Sequence, residues 1–121
     1  MKIKVSELSG AALDWAVAKC EDRLNMVIHN GWVFVDGNPG SPILGLGYCP
    51  STDWAQGGPL IERERIGTLW EARNVWSAST KWDDPAKVFY GKTKLITGLR
   101  CYVTSKLGAE VEVPDELRTA S

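Results

Sequence analysis

A stretch near the C-terminus carries the clearest secondary-structure pattern in the chain. Apolar side chains recur at every fourth position, at Leu95, Leu99, Val103 and Leu107. This spacing places them on one face of a helix. Thr93 is a suitable N-cap residue before the pattern, and Gly108 follows it as a C-terminal stop. A helix with one apolar face must bury that face against other elements, so this segment requires a packed core.

The other predicted elements are shorter. Ser9 is expected to cap a helix that ends near residues 20–22, with Asp14 and Glu21 directed toward water. Asn30-Gly31 between two β-like runs predicts a hairpin over residues 26–35, and one continuous strand with a bulge at Gly31 is the alternative. Further strand segments are expected at residues 2–5, 43–48, 69–79 and 88–90. Together these segments predict an α+β fold, in which a small antiparallel sheet is packed by an N-terminal helix and a longer C-terminal helix.

The size and charge of the chain exclude several classes of protein. It has 121 residues, 14 Lys plus Arg and 15 Asp plus Glu, giving a formal net charge of −1. These values exclude a disordered chain, a strongly basic nucleic-acid binder, an acidic DNA mimic and a two-domain enzyme. We expect a single domain over residues 1–114 and a polar tail over 115–121. With no apolar run of roughly 20 residues and no signal-peptide pattern, the expected location is the cytoplasm, without membrane attachment.

The metal-ligating and nucleophilic residue types form no local cluster. Cys20, Cys49 and Cys101 are far apart, and His29 is the single histidine. This spacing argues against a disulfide framework, a zinc site and a Cys–His nucleophile, so we expect reduced structural thiols and no cofactor. The sequence Gly91-Lys92-Thr93 resembles the end of a P-loop, but Ala86 stands where that motif needs its first glycine.

The segment over residues 51–65 is the predicted ligand-binding site. Its candidate residues are Ser51, Thr52, Asp53, Trp54, Gln56, Gly57, Gly58 and Arg63. Trp54 offers a flat face for stacking, Gly57 and Gly58 permit close approach of backbone amides, and Arg63 supplies a planar cation. This combination suits a ring-bearing anionic small molecule. The structural alternative is a Trp-anchored loop held down by capping hydrogen bonds.

Arg100 is the last candidate ligand-binding residue. It flanks the apolar stripe of the C-terminal helix and is expected to face either a ligand anion, Asp53 or Asp14, or to extend along the surface into water. Of the six Trp residues in the chain, Trp15, Trp70 and Trp76 are predicted to lie in the core. Trp54 is the one assigned to function.

Three stretches of the chain resemble the phage NinX family. They are Leu13-Asp14-Trp15-Ala16-Val17-Ala18-Lys19, residues 51–63, and a C-terminal stretch made of residues 100–103 and 105–108. The resemblance implies an accessory protein of a tailed phage or prophage that acts in the bacterial cytoplasm, and it implies no reaction. Lys92 and Lys94 stand where the family tends to have proline, so the start of the last helix is expected to be less rigid.

These observations leave three hypotheses about function. The favoured one is non-enzymatic binding of a small anionic or nucleotide-like molecule, such as a host signalling nucleotide. The second is a protein-interaction module that binds a host or phage factor, since exposed Trp residues are common interface anchors. The third is a small nucleotide hydrolase. Burial of Trp between subunits would also make the protein a homo-oligomer.

Overall fold

The computed structural model describes residues 2–22, 27–29, 32–34, 48–114 and 117. The elements in chain order are β1 (Lys2–Lys4), a 3₁₀ turn (Val5–Glu7), α1 (Gly10–Cys20), β2 (Val27–His29), β3 (Trp32–Phe34), α2 (Trp54–Arg63), β4 (Gly67–Ala72), β5 (Val75–Ser79), a second 3₁₀ turn (Pro85–Lys87), β6 (Phe89–Gly91), α3 (Lys94–Leu107) and β7 (Glu110–Glu112). The predicted α+β class, with an N-terminal helix and a longer C-terminal helix, is confirmed.

Helix α3 lies at the centre of the fold and has the predicted ends. The Thr93 hydroxyl accepts a hydrogen bond from the Ile96 N–H at 3.1 Å, as an N-cap residue does. Gly108 ends the helix with a φ of 92°, a conformation that favours glycine. The helix contacts α1, α2, β5 and β6, and its Leu99 and Val103 are fully buried between them.

Among the described residues, the predicted single small sheet is three separate antiparallel sheets. β1 pairs with β7, β2 with β3, and β4, β5 and β6 form a three-stranded sheet in that order. The pairing of Val27 with Phe34 and of His29 with Trp32 confirms the predicted hairpin over the continuous strand. Asn30 and Gly31, and residues 43–47 of another predicted strand, lie outside the described residues.

Helix α2 occupies most of the segment over residues 51–65, where no helix was expected from the sequence. Asp53 caps it by accepting a hydrogen bond from the Ala55 N–H at 3.0 Å. The Gly57 N–H donates to the Asp53 carbonyl at 2.9 Å, closing the first helical turn. Although Gly and Pro disfavour helices locally, burial of Leu60 and Ile61 on one face of α2 holds the segment in place.

The segment predicted as β over residues 69–79 is the β4–β5 hairpin. Trp70 lies directly opposite Trp76, beside an irregularity in the strand register. Trp70 is 60% exposed, so the prediction that it lies in the core is wrong. It lies near the turn of the hairpin, whereas Ala78, farther along β5, is fully buried under α3. Trp15 and Trp76 are partly buried.

Candidate functional site

Ser51 is buried and bound to the N-terminal helix. Its N–H donates to Oδ1 of Asp14 at 2.8 Å, and its hydroxyl donates to the Gly10 carbonyl at 3.3 Å. Asp14 therefore lies inside the protein, 4% exposed, and the expectation that it faces water is wrong. Burial raises the pKa of Asp14 to about 7. Ser51 was predicted to contact a ligand. In the structure its N–H and hydroxyl are used in hydrogen bonds that join α1 to the segment before α2.

The polar side chains around the start of α2 bond to one another. Gln56 donates to Oδ2 of Asp53 at 3.0 Å, and its Oε1 accepts from the Cys49 N–H at 3.0 Å. The Thr52 hydroxyl donates to the Cys49 carbonyl at 3.4 Å. These bonds cap α2 and fix the preceding turn, an arrangement that favours the structural alternative for Thr52, Asp53 and Gln56.

Gly57 and Gly58 serve close packing. A Cβ atom on Gly57 would lie 2.2 Å from the Pro50 carbonyl oxygen, so only glycine lets α2 approach this backbone. A Cβ atom on Gly58 would lie 2.5 to 2.9 Å from atoms of the Trp54 ring. The Gly57 N–H is used within the helix, so it is not presented to a ligand.

Trp54 is the one residue of this segment with a large exposed apolar face. Its side chain is 52% exposed. The Lys94 ammonium lies 5.1 Å from the centroid of its ring and 6.0 Å from that of Trp76. Trp54 therefore remains available for stacking, with Lys94 in place of the glycine amides as its polar neighbour.

Arg63, the last residue of α2, bonds to the end of α1 and to α3. Its guanidinium donates to both carboxylate oxygens of Glu21, at 2.6 and 3.1 Å, and to the Tyr102 hydroxyl at 3.2 Å. The Tyr102 hydroxyl in turn donates to Glu21. The hydrogen bond to Glu21, and to a smaller extent the one to Glu64, raises the pKa of Arg63. Arg63, which was predicted to bind a ligand anion, thus forms an ion pair with Glu21.

Arg100 lines a cleft of about 730 Å³ beside α3 and β6. Its Nε donates to the Leu8 carbonyl at 2.8 Å and its Nη1 to the Tyr90 carbonyl at 2.9 Å. Neither Asp53 nor Asp14 is its partner, and among the described residues no carboxylate forms an ion pair with it. Burial lowers the pKa of Arg100, because the charged form loses solvation. The guanidinium is thus partly desolvated and held by two carbonyls.

The cleft brings together polar residues that are distant in the sequence. They are Ser6, Ser9, Asn74, Tyr90, Lys92 and Arg100, with apolar walls that include Val75 and Ile96. Ser9 is the N-cap residue of α1, yet its hydroxyl makes no capping bond. None of the lining residues that the structure describes is acidic. Sequence reasoning found only Arg100, because no local pattern links the other five.

The thiols and the other metal-ligating groups give no second site. Burial raises the pKa of Cys20 to about 12 and of Cys101 to about 11, and it raises the pKa of Cys49. All three cysteines are free thiols, protonated at neutral pH. Within the part of the chain that the structure describes, no three His, Cys, Asp or Glu side chains gather as metal ligands. No helix there has the length and apolar character needed to cross a bilayer.

A family model described as "Bacteriophage P22, NinX" matches residues 4–106. The matched range includes α1, α2, the three-stranded sheet and nearly all of α3. No curated protein matches the chain.

Proposed function

The chain belongs to the NinX family of bacteriophage P22, and we propose that this phage accessory protein binds a small anionic or nucleotide-like molecule without converting it. The binding site in this proposal is the cleft lined by Arg100. It takes the place of the segment over residues 51–63, whose polar groups are largely used in capping α2 and in the Arg63 ion pair.

The state of the Arg100 guanidinium is the observation that carries the proposal. It is partly buried, its pKa is lowered by burial, and it has no carboxylate partner in the described chain. A desolvated cation gains free energy from a counter-charge. Its Nη2 makes no hydrogen bond to a described residue, which leaves a donor for a phosphate or carboxylate oxygen.

The rest of the cleft suits an anion attached to a ring. Lys92 adds a second positive charge. The Ser9 hydroxyl, which makes no capping hydrogen bond to α1, adds a hydrogen-bond donor. Tyr90 is 57% exposed and offers an aromatic face. A volume of about 730 Å³ lies in the usual range for small-molecule sites.

The composition of the lining favours binding over hydrolysis. Among the described residues, its polar groups are hydroxyls, an amide and two cations, and none of them is an Asp, Glu, His or Cys that could act as a general base. This favours sequestration of the ligand over turnover.

The test is a thermal-shift and calorimetry panel of inorganic phosphate, nucleoside mono-, di- and triphosphates and cyclic nucleotides. At least one member should raise the Tm of the protein and be recovered unchanged. Lys92→Gln should weaken that binding about tenfold, because it removes one charge-assisted contact at the cleft.

Lys87→Gln is the matched control, since Lys87 is exposed and does not line the cleft. It should bind as the parent does. Absence of a Tm rise across the panel, or equal loss in Lys92→Gln and Lys87→Gln, would contradict the proposed site.

A further inference from the structure

Three of the six Trp side chains lie along one surface, which we call the tryptophan row: Trp54, Trp76 and Trp70, with Lys94 between the first two. The Lys94 ammonium contacts the rings of both Trp54 and Trp76. Trp70 is the cross-strand partner of Trp76, and directly opposed residues project to the same face of a sheet. Trp54 and Trp70 are both more than half exposed.

The orientation of Trp54 is set before any partner binds. Its ring lies against Gly58, one helical turn farther along α2, where any Cβ atom would collide with it. Lys94 lies over the ring at 5.1 Å from the centroid. Gly58 covers one face of the indole, so a base stacks on the other face once the flexible Lys94 side chain moves from over the ring. The indole itself is already held in place and loses little conformational entropy on stacking.

Lys94 places a positive charge at the row. Lys94 has no carboxylate in ion-pair distance among the described residues. The acidic residue of the hairpin, Glu71, accepts a hydrogen bond from Ser77 at 2.7 Å. Ser77 follows Trp76 in β5 and so projects to the opposite face of the sheet, which draws Glu71 away from the row.

We propose that the tryptophan row binds single-stranded nucleic acid by stacking successive bases on its indole rings, with Lys94 against a phosphate. Aromatic side chains in a line with an interleaved cation are the elements of a base-stacking surface. A net charge of −1 excludes binding driven mainly by phosphate neutralisation. Stacking does not need that net charge, so the expected affinity is modest and only weakly dependent on salt.

A nucleic acid fits this surface better than a protein does. The centre of a protein interface is depleted of charged residues, and Lys in particular. Here an unpaired ammonium lies between the aromatic rings themselves, where a phosphate would neutralise it. More than one exposed ring on the same surface also suits a chain of bases better than a single nucleotide.

The row is separate from the Arg100 cleft. Lys94 and Ile96 are two positions apart on α3, which turns their side chains about 200° around the helix axis. Ile96 and Arg100 face the cleft, whereas Lys94 faces α2 and the hairpin. The two surfaces are therefore testable independently.

The experiment is fluorescence anisotropy with a labelled oligo(dT) of twelve nucleotides and a second labelled strand of equal length and charge that lacks bases. The protein should bind the first strand at least tenfold more tightly than the second, because only the first offers rings to stack. Trp54→Ala and Trp70→Ala should each weaken binding about five- to hundredfold, and Trp54→Phe should lose less than Trp54→Ala. Lys94→Pro should reduce the slope of the logarithm of the binding constant against the logarithm of the salt concentration by about 1. It should keep the start of α3, because proline is well accepted at the first position of a helix.

Trp82→Ala is the matched control, because Trp82 is 46% exposed and packs against Gly67 rather than in the row. It should bind as the parent does, with circular dichroism confirming that every variant is folded. No binding of oligo(dT), equal binding of the strand without bases, or an unchanged Kd in both Trp54→Ala and Trp70→Ala would overturn the proposal. Binding of a host or phage protein in place of oligo(dT) would overturn it as well.

Discussion

Asp14 is a carboxyl group held in the core by a distant part of the chain. Its Oδ1 accepts the Ser51 N–H across 37 positions of sequence, and its side chain is 4% exposed. Burial raises its pKa from 3.8 to about 7, and the hydrogen bonding of Ser51 opposes this shift only in part. The residue therefore binds its proton more tightly in the folded protein than in the unfolded chain.

This difference predicts how stability depends on pH. A folded-state pKa above the unfolded one gives stability that is complete below about pH 4 and is lost as the pH rises through about 7. The loss amounts to a few kcal/mol on the scale of 1.36 kcal/mol per pKa unit.

Asp14→Asn keeps an Oδ1 acceptor for Ser51, so it should be more stable than the parent at pH 8. It should also flatten the dependence of the unfolding free energy on pH between pH 5 and 8. Urea unfolding at both pH values measures this, with the exposed Glu62→Gln as control, and an unchanged slope in Asp14→Asn would show that Asp14 is not the group responsible.

At the scale of elements, α2 shows where local sequence misleads. Gly57, Gly58 and Pro59 are all poor in a helix interior, so a sequence-based prediction favours a loop. Packing reverses that preference: α2 approaches the Pro50 backbone through Gly57, and within the helix the Trp54 ring covers Gly58 one turn farther along. By contrast α3 was predicted nearly to the residue, because its apolar spacing and both caps favour the same helix.

The two glycines of α2 should respond differently to alanine. Gly57→Ala should destabilise the protein by about 1–3 kcal/mol despite the better helix propensity, since the Pro50 carbonyl is backbone and cannot move aside. The three atoms nearest to a Cβ on Gly58 all belong to the Trp54 ring, so in a Trp54→Ala background Gly58→Ala should stabilise α2 by up to about 1 kcal/mol. A double-mutant cycle followed by chemical unfolding measures both effects. Equal effects of Gly58→Ala with and without Trp54 would contradict this packing.

At the scale of the whole molecule, the parts of the site come from widely separated segments. Ser9, Asn74, Lys92 and Arg100 meet only because α3 crosses both the start of α1 and the three-stranded sheet. No spacing rule in a single sequence links such positions. The segment over residues 51–63 did carry a strong local pattern, but that pattern largely encodes how α2 is capped and joined to α1, with Trp54 as the exception. The family could be assigned from the sequence, since three stretches of the chain carried the resemblance.

The measurement that tests the account most directly is a two-dimensional NMR titration with the panel member that raises the Tm most. We predict that the Nε–H signal of Arg100 and the amide signals of Ser9 and Lys92 shift most, while the amides of residues 54–58 stay nearly unchanged. The opposite pattern, with shifts concentrated at residues 54–58 and an unchanged Arg100 signal, would contradict the assignment of the anion site to the Arg100 cleft.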